Sequence, residues 1–234
     1  MKRYSILILF LIFSCTSNQD NFTLNGKIDG LTKGKIYLLK SNNFNSIILD
    51  STEIDNSSKF TLKCYIEIPQ ILILRLEKSD VDKIEFFAET GTMTFNTNNK
   101  RFQFDSKFIG SKQQLKLKEF NLFIIKFEEE DLELLELQIQ QSIKGNQKEI
   151  DSISILREKL EKRKILFVIN YITNNSKEII SPYLALKYNK EIKEVAAIQG
   201  GVFTGFDYLT KIYNSYKKEI SESKYGIELK KIIE

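Results

Sequence analysis

The sequence predicts an α+β protein: an antiparallel β-sandwich over residues 21–110, followed by a mostly α-helical region, residues 111–234, containing a long antiparallel helical hairpin. Three observations predict it. Before about residue 110, short apolar runs alternate with period two and are separated by turn residues. Beyond it the apolar spacing becomes helical. Only two prolines interrupt the chain, which suits long elements.

The strands follow in order. Phe22–Ile28 precedes Asp29-Gly30, a hairpin signal. Lys35–Leu39 and Ser46–Asp50 come next, then Phe60–Ile66 after the polar turn at Asp55–Ser58. Ile71–Leu76 is almost wholly apolar, as expected of a central strand covered on both faces. Lys83–Ala88, Thr92–Asn96 and Phe102–Phe108 complete a set whose short, regular spacing argues for a sandwich.

Ser111 with Gln114 makes a capping box at the start of the first long helix. Leu115, Phe120, Phe123, Ile124, Phe127, Leu132, Leu135 and Ile139 are expected along one side, and Gly145 ends the helix. Asn146 and Glu149 open a second helix with Ile153, Leu156, Leu160, Ile169 and Ile172 inward, closed by Asn174-Asn175. Each is about 40–50 Å long at about 1.5 Å per residue. Ser181-Pro182 starts a third helix through Tyr188; Phe206–Tyr216 and Ser223–Ile233 give two more.

The N-terminus reads as a lipoprotein leader. Lys2 and Arg3 precede the apolar run Ile6–Phe13, which is too short to span a bilayer and is followed by Ser14-Cys15. Residues 1–14 are therefore expected to be a signal peptide, Cys15 the lipidated residue, and 15–20 a polar tether. Two or more acyl chains on Cys15 make membrane attachment stable, where a single one is marginal. The expected location is the cell envelope, on the outer membrane facing the periplasm.

Composition excludes several chemistries. The formal charge is +4, and without Lys2 and Arg3 the 33 remaining basic residues exceed the 31 acidic by two, so no nucleic-acid footprint exists. With no histidine there is no imidazole base, nucleophile partner or zinc ligand. Cys64 is the single cysteine besides Cys15, and its alternation with Phe60, Leu62 and Ile66 puts the thiol on an apolar face as an inert core residue.

Several landmarks coincide in order: Phe22-x-Leu-x-Gly26-x-Ile28, Lys35-Ile-Tyr37-Leu38, Leu49-Asp50-Ser51-Thr52, Lys59-Phe60-Thr61-Leu62, Phe86-Phe87-x-Glu89-x-Gly91 and Gly110-Ser111-x-x-Gln114. Over residues 20 to about 114 the chain resembles the N-terminal module, domain of unknown function 4369, of lipid-anchored thiol–disulfide interchange proteins. Ser181-Pro-Tyr-Leu-Ala and Ser223-x-Tyr225-Gly226-x-x-Leu229 resemble their helical connector. In those proteins a thioredoxin-like domain with a CxxC pair follows. Here the connector-like segment reaches Glu234, so no residue is expected to take the redox role. The turn Asn56-Ser57-Ser58 lacks the glycine common at that place in those proteins. The resemblance implies a fold and a location but no reaction.

The remaining candidates have bland readings. The carboxylates Glu128–Asp131, Glu133 and Glu136 read as a solvated helix face rather than a calcium loop. Residues 157–164 hold opposite charges at i, i+4 (Arg157/Glu161, Glu158/Lys162), a helix-stabilising pattern rather than a lipid-headgroup patch. Gln199–Gly205 is glycine-rich without the Lys-Ser/Thr of a phosphate loop. Phe203, Phe206, Tyr208, Tyr213 and Tyr216 read as core rather than a ligand pocket. No residue is assigned a catalytic, cofactor-binding or metal-ligating role. The expectation is a non-catalytic binding or scaffolding module that touches the membrane through Cys15, with an envelope protein as partner and no nucleic acid. An accessory of a periplasmic thiol–disulfide pathway and a carboxylate-based enzyme are the alternatives.

Overall fold

In the computed structural model of the chain, residues 19–42, 45–77, 83–198 and 205–234 are described. The leader 1–14, Cys15 and the first tether residues lie outside them, as do the glycine-rich segment 199–204 with Phe203 and the side chain of Phe206.

Among the described residues eight strands come first: β1 (Phe22–Asp29), β2 (Gly34–Asn42), β3 (Asn45–Ile54), β4 (Lys59–Cys64), β5 (Gln70–Leu76), β6 (Lys83–Ala88), β7 (Gly91–Asn98) and β8 (Lys107–Ile109). They form two four-stranded sheets, ordered β4-β1-β7-β8 and β3-β2-β5-β6. The alternating apolar residues meet between the sheets. Phe22, Leu24, Leu62 and Phe95 from one join Ile36, Leu38, Leu72 and Phe86 from the other in a single buried cluster. β5 lies inside its sheet, and its burial on both faces agrees with its almost wholly apolar run.

Three local expectations change. The second sheet is wholly antiparallel, but β1 pairs parallel with β7, Phe22 opposite Gly91. Alternation specifies which face is buried, not the direction of the neighbour. Asp29-Gly30 makes no hairpin. Gly30, at φ +83°, turns the chain from the first sheet into the second, so β1 and β2 never pair. The expected strand Phe102–Phe108 shrinks to β8. Phe102 instead caps the core, 2% exposed, its carbonyl accepting from the Thr97 hydroxyl at 2.8 Å.

Among the described residues seven helices follow: α1 (Lys112–Ile143), α2 (Gln147–Asn174), α3 (Ile180–Lys187), α4 (Asn189–Ile198), α5 (Gly205–Asn214), α6 (Lys218–Ser221) and α7 (Lys224–Ile233). The sequence pattern does not foretell α4 or α6. α1 and α2, about 48 and 42 Å long from their 32 and 28 residues, form the antiparallel hairpin. Gly145, at φ +68°, closes α1: its amide donates to Ser142 and that of Asn146 to Gln141. Ser181 is no cap. It sits inside α3, buried, donating to the Ile172 carbonyl at 2.9 Å, with the Tyr216 hydroxyl 3.0 Å away.

The helical core takes only the base of the hairpin. Leu117, Phe120, Ile124, Ile165, Val168 and Ile172 join α3, α5 and α7 there. Beyond Ile124 the hairpin continues as an arm for 19 residues of α1, about 29 Å. The expected inward stripe therefore holds only in part. Leu132, Ile139 and Leu156 are about half exposed, because along the arm each helix has one neighbour instead of several; Leu115 and Phe123, at the base, are exposed to a similar extent.

Candidate functional site

The helices are fastened to the sandwich where its second sheet leaves backbone groups open. β6 is an edge strand, and Phe87 N–H donates to Gln114 Oε1 of α1 at 2.7 Å. The Ser111 hydroxyl accepts from Gln114 N–H at 2.9 Å, so half of the capping box forms while the glutamine side chain caps the sheet instead. Glu89 Oε2 accepts from Gln113 N–H at 3.1 Å. The buried Gln113 side chain accepts from Ile180 N–H at 3.0 Å and donates to Glu178 at 2.9 Å. Burial pushes the Glu178 carboxyl up, but hydrogen bonds from Lys112 and Gln113 outweigh it and hold the group below the ordinary glutamate value. β2 pairs with β5 only from Ile73 onward, which leaves Ile71 N–H beyond the ladder. The Tyr225 hydroxyl of α7 accepts that bond at 2.8 Å. The residues carrying the family resemblance thus weld the two regions together.

A groove of about 390 Å³ lies over this joint, walled by Ile71, Glu85, Tyr183, Lys187, Lys224 and Tyr225. Burial raises the phenols of Tyr183 and Tyr225, the latter to about 12, so both keep their protons at neutral pH. The groove offers hydrogen-bonding groups and two lysines. The connector-like motifs marked Tyr183 and Tyr225 in the sequence, though not as neighbours.

The arm is held by polar links across its two helices. Arg157 grips Asp131 through two bonds of 2.7 and 2.9 Å and donates to Gln138 at 3.1 Å. The expected Arg157/Glu161 pair is therefore absent. Glu161 pairs with Lys164, while Glu158 and Lys162 pair as expected. Arg163 reaches Glu130 at 3.3 Å and stacks over Phe127. Among the described residues no three His, Cys, Asp or Glu side chains gather where they could hold a metal ion, and no helix is long and apolar enough to cross a membrane.

Cys64 lies in the sandwich core, 6% exposed, its thiol raised to about 11 by burial and then by the charges of Asp20 and Asp50. Tyr216 is buried, and Tyr208 and Tyr213 pack against the same helical cluster, so these aromatics are core.

A second apolar row runs along α1. Leu115, Lys118, Leu122, Ile125, Glu129, Leu132, Glu136, Ile139 and Ile143 recur at alternating steps of three and four, and every one is exposed. Six are Leu or Ile, between 46% and 82% exposed. This is a second heptad seam on the same helix, beside the one that meets α2. The strict seven-residue step Ile125–Leu132–Ile139 was its signal in the sequence.

Comparison with known proteins gives a family for the first region alone. No curated protein and no solved structure matches the chain. The matched segment runs past the sandwich into the first turns of α1, taking in Ser111, Gln113 and Leu117 together with Gln114, whose side chain closes the sheet edge. Residues 22–117 of the chain are a DUF4369 domain, a domain of unknown function.

Proposed function

We propose that this chain is a lipid-anchored bacterial envelope protein acting as a non-catalytic binding or scaffolding module, with the α1–α2 arm as its contact surface. The observation that carries the reading is the exposed heptad seam of α1. Half a dozen large apolar side chains in one row are costly to leave in water, at roughly 25 cal/mol per Å² of apolar surface. The arm is stiffened by Arg157–Asp131 and tied to the sandwich through Gln113 and Gln114, so it presents that row rigidly. The leader sequence and Ser14-Cys15 support anchoring. The absence of histidine and of any CxxC pair removes the commonest acid–base and dithiol chemistries.

The test has two parts. Cys15→Ser should move the chain from the membrane fraction to the soluble one; unchanged fractionation refutes the anchor. A photo-crosslinking residue at Leu132 should give a discrete adduct in intact membranes, while one at the exposed, off-seam Lys148 should not. Equal labelling at both positions, or none at Leu132, refutes the arm as the contact surface.

A further inference from the structure

The chemistry of the α1 seam points to its occupant. The first half of α1, residues 112–126, carries four lysines against one glutamate; residues 127–143 carry six acidic residues and no basic one. The helix is therefore a rod with a positive end and a negative end. The seam repeats this polarity, with Lys118 near one end and Glu129 and Glu136 toward the other. Glu130 and Asp131 are engaged by α2, but they are off the seam.

We infer that the partner of this seam is a second copy of the chain, paired antiparallel along α1. The inference rests on reading the arm as the contact surface and names what covers it. A parallel pair would set each seam residue against itself, putting Lys118 on Lys118, Glu129 on Glu129 and Glu136 on Glu136. An antiparallel pair sets the positive half of each helix against the negative half of the other. In one register Leu115 faces Ile139 of the partner subunit, Lys118 faces the partner's Glu136, Leu122 faces the partner's Leu132, and Ile125 faces the partner's Glu129. Each layer then joins the two different heptad positions of the seam, a against d, as antiparallel packing of such a seam requires. Only Ile143 is left over, whereas sliding one heptad shorter bares Ile139 as well. The two-fold axis makes every contact occur twice.

The surface beside the seam fits the same occupant. Lys118, Leu122 and Ile125 form one wall of a groove of about 300 Å³ whose opposite wall includes Ile84, Lys107 and Phe108 of the sandwich. The acidic end of the partner's arm would run along this groove, between Lys107 and Lys118.

The test is charge reversal in the full-length chain, purified in mild detergent, with association read by sedimentation equilibrium at tens of micromolar. The wild type should be dimeric. Lys118→Glu and Glu136→Lys should each weaken the dimer roughly tenfold or more, since each turns two attractive layers repulsive. Mixing the two single variants should restore a dimer, because in the mixed pair each layer again sets a carboxylate of one subunit against an ammonium group of the other. Both positions are exposed, and the mixture itself reports that both variants are folded. A monomeric wild type, reversals that leave the dimer unchanged, or a mixture that stays monomeric each overturns the inference. A monomeric wild type whose Leu132 position still labels a discrete species in membranes overturns the second copy while leaving the contact arm intact.

Discussion

Replacing Tyr225 by phenylalanine removes one oxygen from the contact between α7 and β5 and leaves the ring in place. That oxygen is the acceptor for Ile71 N–H at 2.8 Å, at a point where β2 no longer pairs with β5. Tyr225 is 7% exposed, so little water reaches the amide once the hydroxyl is gone. Its ring packs edge-on to Phe87 at 6.1 Å and to Tyr183 at 5.4 Å, and phenylalanine keeps both contacts. The cavity contribution is therefore negligible, where truncating a buried aromatic to alanine costs about 3–5 kcal/mol. What remains is a buried donor without an acceptor, worth about 1–3 kcal/mol. The expected loss is near the middle, about 2 kcal/mol, or about 4–8 °C in melting temperature for a chain of this size. Urea unfolding should show a lower midpoint with an unchanged slope, because the surface exposed on unfolding is the same. Hydrogen exchange at the Ile71 amide should accelerate with it. A loss below about 0.5 kcal/mol, with Ile71 exchange unchanged, would refute the idea that helices close this sheet by accepting its open amides.

Three further outcomes are expected. A methyl group at Gly26 would lie 2.0 Å from the Phe60 ring, its register partner on β4, so Gly26→Ala should cost about 1–3 kcal/mol by overpacking, and adding Phe60→Leu should recover part of that loss in a denaturation cycle. Ser58 holds a left-handed φ of +58° while its hydroxyl donates to the Leu31 carbonyl at 2.8 Å. Ser58→Ala keeps the strain and loses the bond, whereas Ser58→Gly loses the bond and relieves the strain, so the glycine variant should be the more stable by about 1 kcal/mol in thermal melts. With no histidine, stability should be flat between about pH 6 and 8. Burial raises Cys64 from 9.0 to about 11 and Tyr171 and Tyr188 from 10.0 to about 12. Folded values above unfolded ones mean that this stability is whole below about pH 9 and is lost as the pH climbs through 11 and 12. On the acid side, the hydrogen bond from Arg157 holds Asp131 below its ordinary 3.8, a contribution present above that value and lost as the pH falls beneath it. Circular dichroism across the pH range should show a plateau with these two shoulders.

Much of the fold was legible in the chain because its signals are local. Phe22, Leu24 and Ile28 alternate, and they line the sandwich. Cys64 alternates with Leu62 and is core. Gly145 ends α1 because it can take the positive φ that the turn needs. The shape of the candidate site was less legible. Leu132 and Ile139 stand at helical spacing, as Phe120 and Ile124 do, yet one pair is exposed and the other buried. The difference is the number of neighbouring elements, which spacing along one helix does not encode.

By itself, then, the sequence determined the succession of strands, five of the seven helices described, the buried thiol and the length of the hairpin, since each depends on residues close together in the chain. Only the tertiary structure decided that β1 lies parallel to β7, that Asp29-Gly30 crosses between sheets, and that Gln114 and Tyr225 complete β6 and β5. It also decided which apolar row of α1 remains uncovered. Those outcomes depend on pairings between residues tens to more than a hundred positions apart. A backbone amide is indifferent to whether a carbonyl, a glutamine or a tyrosine accepts its bond, so geometry, not composition, selects the partner.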